Sequence, residues 1–251
     1  MITTLKNTIL SVTLFLIPAV VFGQTLMPLG LISSFEAYTG IGAVTNSGTF
    51  TGDVGSNSGA LSGFGGPPSF MGTAYNNNAT TVQARTDMLW MYINLNNIPV
   101  TDFTHLAAFG GGEILTPGVY SIASAGTLGG TITLNGGVND FFIFKFEGAF
   151  TAGANSTVIL TGGVQSANVF WIANGAMTIT PTLSSAVSTI KGSLFSYPGA
   201  ITLGANCELE GRMLSTNGAI TNGINSIALI PPDVCNITVP CLTPCNPVMM
   251  F

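Results

Sequence analysis

Four short runs, Gly148-Ala149-Phe150-Thr151, Gly175-Ala176-Met177-Thr178, Gly199-Ala200-Ile201-Thr202 and Gly218-Ala219-Ile220-Thr221, share one spelling: glycine, alanine, a large apolar residue, threonine. Their threonines fall 27, 24 and 19 residues apart, and apolar runs precede them, among them Phe141 to Phe146, Val169 to Ala173 and Leu194 to Tyr197. Self-similarity at a period of about 20 to 30 residues predicts a solenoid, because a unit that small buries its apolar face only by stacking on the next. The region from Asp140 to Asn225 therefore organises the chain.

Successive side chains of a strand point to opposite faces. With Phe150, Met177, Ile201 and Ile220 inside, the flanking Ala149, Ala176, Ala200 and Ala219 and the following Thr151, Thr178, Thr202 and Thr221 point outward. Two positions further on, Gly153, Thr180, Gly204 and Gly223 share that outer side. Strands stacked in register would give a level, uncharged threonine column with rungs about 4.8 Å apart. Such a face suits a flat, periodic partner better than a small molecule.

The composition agrees with an all-β solenoid. Only 6% of the 251 residues are charged, 32 are glycine and the mean hydropathy is +0.55, against about 25% charged in an average soluble chain. Beyond residue 23 no apolar run approaches the roughly 18 residues a membrane span needs. Ten acidic residues against five basic ones leave no basic patch for nucleic acid.

Met1 to Gly23, with Lys6 ahead of an apolar core from Ile9 to Phe22, has the form of a secretory leader, so export is expected. Leu29 to Gly65 reads as short strands with tight turns, for example Ala43-Val44-Thr45-Asn46. Asp53 sits in a glycine-rich loop but lacks the spaced carboxylates of a calcium loop. Thr80 to Asn96 is the one expected helix: Thr80 and Gln83 have capping-box spacing, and Ala84, Met88, Met91 and Leu95 follow the helical period. It is expected to cover one side of the solenoid. Thr127 to Leu134 reads as a fifth, degenerate rung, and Asn155, Asn206 and Asn225 recur at equivalent corners, where they could form a ladder beside glycines that allow the tight turn.

Catalytic, cofactor and metal sites are not expected. His105 is the only histidine, no nucleophile-elbow motif accompanies it, and Gly110-Gly111-Gly112 lacks the following lysine of a phosphate loop. Glu208 and Glu210 are the one close carboxylate pair, with Arg212 as the basic residue near them. Cys207, Cys235, Cys241 and Cys245 in an exported chain suggest disulfides, with three connectivities open. Sequons occur at Asn78, Asn155 and Asn236. The expected organisation is a leader at 1–23, a solenoid at 24–230 and a Cys/Pro-rich tail at 231–251 that could attach the protein to a cell surface.

With these repeats in view, the chain from about Leu29 to Ile230 resembles the microbial DUF3494, or type 1, ice-binding family. The matching pieces include Phe35-Glu36-Ala37, Val44-Thr45-Asn46, Gly52-Asp53-Val54-Gly55, Leu115-Thr116-Pro117-Gly118-Val119-Tyr120, Phe142-Ile143-Phe144 and Asn168-Val169-Phe170-Trp171 before Gly175-Ala176. The resemblance implies a mainly β fold: a discontinuous right-handed parallel β-helix with one long α-helix alongside. It also implies ice as the partner, held on a flat β face through Thr-Ala/Gly-x-Thr/Asn motifs. That pattern falls best on Thr151-Ala152-Gly153-Ala154, whose fourth residue departs from it; Thr202-Leu203 and Thr221-Asn222 keep only the threonine. The expected ice-binding residues are Thr151, Thr178, Thr180, Thr202, Thr221 and Thr127, with Ala149, Ala176, Ala200, Ala219, Gly153, Gly204 and Gly223 around them. A monomer that restrains ice growth or recrystallisation is the leading expectation; a surface adhesin or a carbohydrate-active β-helix enzyme is the alternative.

Overall fold

The computed structural model describes residues 24–27, 29–180, 187–232, 235 and 237–240. The leader, Cys241 and Cys245, the sequon asparagine Asn236 and most of the tail lie outside them.

Short strands of two to five residues build three parallel sheets that form the sides of one solenoid. The first face stacks Gly118–Ile122, Phe142–Phe146, Val169–Ala173, Ser193–Ser196, Met213–Ser215, Phe35–Thr39, Asp53–Ser56 and Ala74–Asn76, in that spatial order. The second runs from Leu61–Ser62 through Val44–Asn46, Ile220–Asn222, Ile201–Leu203, Met177–Ile179, Phe150–Ala152 and Gly126–Gly129 to Ala108–Gly110. The third comprises Thr49–Phe50, Ile227–Leu229, Cys207–Glu210, Ser188–Lys191, Thr157–Thr161, Thr131–Asn135 and Glu113–Leu115.

The spatial order explains the discontinuity. The first strands of the chain lie beside the last ones: Val44 pairs with Ile220 and Ala37 with Met213. The helix Ala79–Asn97 then carries the chain along the stack, and the remaining coils are laid down from the far end back. Nineteen helical residues span about 28 Å, close to the roughly 34 Å of eight strands at their ordinary spacing.

The central first-face strands are buried on both sides. Phe144, Trp171 and Phe150 stack inside the solenoid, with Phe144 and Trp171 centroids 4.1 Å apart. On the other side Val119, Ile143, Phe170, Phe195 and Leu214 meet Ala84, Met88, Met91 and Leu95 of the helix. Lys145 on this face is buried and donates from Nζ to the carbonyls of Asn96 and Ile98 at 2.9 Å, satisfying the helix C-terminus.

Three sequence expectations are corrected here. The helix cap is Asn78, not Thr80: the Asn78 side chain accepts from the Thr81 N–H, and the Thr81 hydroxyl accepts from the Asn78 N–H. Asn78 closes the box because its extended backbone (φ −139°) puts it just outside the helix that Thr80 has already entered. Thr127 to Leu134 is two strands on two faces, split where Gly130 turns at φ +69°. At the corners it is Asn155, Asn206 and Asn225, at φ 62°, 56° and 57°, that take the left-handed conformation in place of the neighbouring glycines, because asparagine tolerates it. Asn225 Nδ2 does reach Asn206 Oδ1 at 3.3 Å.

Cys207 lies inside the solenoid with Sγ 3.5 Å from the Thr180 and Ala205 carbonyls, while Cys235 is buried beneath the helix layer. The two form no disulfide with one another. Thr238–Pro240 pairs antiparallel with Gln24–Leu26, joining the two ends of the described chain.

Candidate functional site

The repeated Gly-Ala-x-Thr runs all enter second-face strands, so their outer side chains form columns. Thr127, Thr151, Thr178, Thr202, Thr221 and Thr45 stand opposite one another in unbroken register, continued by Ser62 at one end and Ala108 at the other. Thr127 and Thr151 are exposed, and the others are half-buried between their small neighbours. In this column only Ser62 and Thr45 bond through their side chains to another described residue, each other, at 3.3 Å.

A second column runs beside it. The backbone bonds from Gly126 to Ala149, Phe150 to Ala176, Met177 to Ala200, Ile201 to Ala219, Ile220 to Ala43 and Val44 to Ala60 place those alanines one above another. On the other flank the bonds from Gly153, Thr180, Gly204 and Gly223 to the preceding rung align those four residues. Gly204 is buried instead of exposed because its strand ends at Leu203 and the chain is already turning. The result is a ruled surface of alanine methyls, threonine side chains and near-bare backbone, with no charged side chain in any of the three columns. Beneath it Phe150, Met177, Ile201 and Ile220 are fully buried, so the face is backed by rigid packing.

Every site residue expected from the sequence lies on this face. Two were missed. Gly42-Ala43-Val44-Thr45 follows the same spelling and Gly59-Ala60-Leu61-Ser62 keeps it with serine in the last place, and the spelling itself was the available signal. The long gap before the remaining copies concealed them.

The third face is the other exposed sheet. Thr131, Thr157 and Thr189 align, but the column continues into Glu208 and Ile227. A parallel column places Ile114, Thr133 and Ile159 together. Lys191, paired with Glu210, follows, and Ser166 also donates to the Glu210 carboxylate at 2.5 Å. Burial pushes the Glu210 carboxyl up, but the bonds from Lys191 and Ser166 outweigh it and hold the group below its usual range, ionised. A fixed carboxylate of this kind is a poor general acid. The basic neighbour expected for this pair, Arg212, instead lies buried on the first face, donating to the Ile32 and Ser33 carbonyls.

His105 also has a structural role. Its ring stacks on Phe109 at 4.0 Å and Nε2 meets Glu113 Oε1 at 2.6 Å. Among the described residues no group of three His, Cys, Asp or Glu could hold a metal, and no helix is long and apolar enough to cross a membrane.

The model of the family described as Ice-binding-like matches residues 36–228. An ice-binding protein from Nostoc sp. (strain HG1) is 32% identical over 207 residues, 80% of this chain and 73% of the relative. The solved ice-binding protein of an Antarctic Flavobacteriaceae bacterium superposes with a TM-score of 0.75 at 38% identity, over 81% of this chain and 47% of that one, so the present chain spans about half its length. That of the Antarctic ascomycete Antarctomyces psychrotrophicus gives 0.74 at 25% identity, over 83% of this chain and all of the other.

Proposed function

The chain belongs to the ice-binding family, and we propose that it is an exported, non-catalytic protein that adsorbs to ice through its second face and restrains crystal growth and recrystallisation. The observation that carries this reading is the unbroken, uncharged threonine column of Thr45, Thr221, Thr202, Thr178, Thr151 and Thr127. Each threonine offers a methyl that enters a surface groove and a hydroxyl that holds ordered water. One such contact is weak. Many made at once by a surface that loses no freedom on docking are strong, because the ordering cost has been met in folding. The alanine and glycine columns keep the flanks low, so that the crystal meets all rungs together. As an exported protein it would lose residues 1–23 and act as a monomer, and its tail could tether it to a cell.

A second reading places the ice contact on the third face. It is supported by the five-residue strands Thr131–Asn135 and Thr157–Thr161, which offer Thr131, Thr133, Thr157 and Thr161 on the outer side. Glu208, Glu210 and Lys191 interrupt that surface, and charges that keep their own water resist alignment with a crystal. We therefore favour the second face.

Ice-crystal shaping and thermal hysteresis of the mature protein test the proposal, repeated with Thr202→Tyr and Thr221→Tyr. Loss of most activity in both variants at unchanged circular dichroism is expected. A folded wild type that leaves ice unshaped would refute the function; full activity in both variants would refute the face.

A further inference from the structure

Basic side chains are scarce here, and their disposition is informative. The chain has five: Lys6, Arg85, Lys145, Lys191 and Arg212. Lys145 and Arg212 are buried on backbone carbonyls, and Lys191 is paired with Glu210. Arg85, on the exposed side of the helix, is the one basic residue among the described residues with neither a carboxylate within 4.0 Å nor a carbonyl partner.

Arg85 lines an open groove of about 350 Å³ between the helix and the corner that leads from the first face to the second. Its other walls combine apolar and hydrogen-bonding groups. Tyr197 is 40% exposed and rests against Tyr92, the two rings 4.3 Å apart and nearly parallel. Pro198 and Leu89 extend the apolar wall, and Thr216 and Asn217 supply polar groups. Glu147, the carboxylate two rungs along this corner, is held by Asn174 Nδ2 at 2.8 Å.

We propose that this groove binds an acidic saccharide. The guanidinium fork matches a carboxylate in two parallel bonds. The Tyr197 and Pro198 surface covers the apolar C–H side of a sugar ring, as an amphipathic aromatic with a wet edge can. Thr216 and Asn217 bond its hydroxyls. A neutral sugar leaves the cation without its partner, and a bare carboxylate leaves the aromatic wall uncovered, so the full set of groups selects a uronic acid unit. The site is separate from the threonine columns and does not depend on the ice reading.

The experiment titrates the folded mature protein with a uronic-acid oligosaccharide, following amide shifts by NMR. Parallel titrations use a neutral oligosaccharide of the same length, acetate, and an acidic hexapeptide. Saturable binding of the uronate alone is expected, with shifts centred on Arg85, Tyr197 and Asn217. Affinity should fall about tenfold or more in Arg85→Gln and in Tyr197→Ala, and also on raising the salt from 0.05 to about 0.5 M, since an exposed ion pair is screened. A thermal melt matching wild type keeps a folding defect from passing as a binding loss. Absence of saturable binding, binding undiminished in Arg85→Gln, or equal affinity for acetate or the peptide would each overturn the proposal.

Discussion

The second and third faces are built by the same coils and share one core, yet they present different surfaces. On the second, every strand from Val44–Asn46 to Gly126–Gly129 offers alanine, threonine and a small residue in turn. On the third, equivalent positions hold Thr131, Thr157 and Thr189 at one end and Glu208 and Ile227 at the other. The inner side chains of both are buried and mostly apolar, with Asn46, Asn222 and Ser188 as polar exceptions. Stacking therefore demands uniformity only of the interior. Uniformity on an outer face has to be explained by something outside the protein, and only the second face has it along its whole length.

Removing the shared core should affect both faces alike. Phe150 lies directly under the threonine column and stacks on Trp171 at 5.1 Å. Phe150→Ala should cost about 3 to 5 kcal/mol in a denaturant melt. A loss of ice activity without loss of stability in that variant would mean that the face, and not the core, had been altered.

Acidity separates stability from binding. Glu36 is buried at the seam between coils, where it accepts the Thr51 and Gly52 N–H groups and faces Arg212. Burial pushes its carboxyl up to about 8, against those hydrogen bonds and the guanidinium. Because the folded state holds this proton more tightly than the unfolded chain, its contribution is complete below pH about 4.5 and is lost as pH rises to about 8. Stability should thus fall by a few kcal/mol over that window, and Glu36→Gln should flatten the profile in urea melts. On the proposed reading, ice activity rests on columns without a titratable group and should stay level over the same range.

The smallest expected effect sharpens the contrast most. Glu208→Thr extends the third-face column of Thr131, Thr157 and Thr189 by one rung. With ice held on the second face, hysteresis should change by less than about twofold, since an exposed surface substitution is worth at most roughly 0.5 kcal/mol. A severalfold rise would show that the third face touches the crystal.

The helix and the second-face strands were legible in the sequence because their patterns are local: the period of Ala84, Met88, Met91 and Leu95, and the spelling of Gly-Ala-x-Thr. What was not legible depends on contacts between distant residues. Thr45 carries the repeat spelling in Gly42-Ala43-Val44-Thr45, but its place in the column depends on Val44 pairing with Ile220, 176 positions further along the chain. The cap moved from Thr80 to Asn78 because Asn57 and Tyr38 fix Thr81 from the solenoid side. Arg212 reads as a neighbour of Glu210 along the strand, but the corner at Gly211 turns it under the first face. Glu210 was visible as a residue, and its pairing with Lys191 was not.

The most direct test sets one bulky substitution on each face in the same experiment. Thermal hysteresis and ice-crystal shape would be measured for Thr178→Tyr on the second face and Thr157→Tyr on the third, both at wild-type melting temperature. The account predicts that Thr178→Tyr loses most of the activity and Thr157→Tyr keeps it; the reverse pattern would contradict it and move the ice contact to the third face.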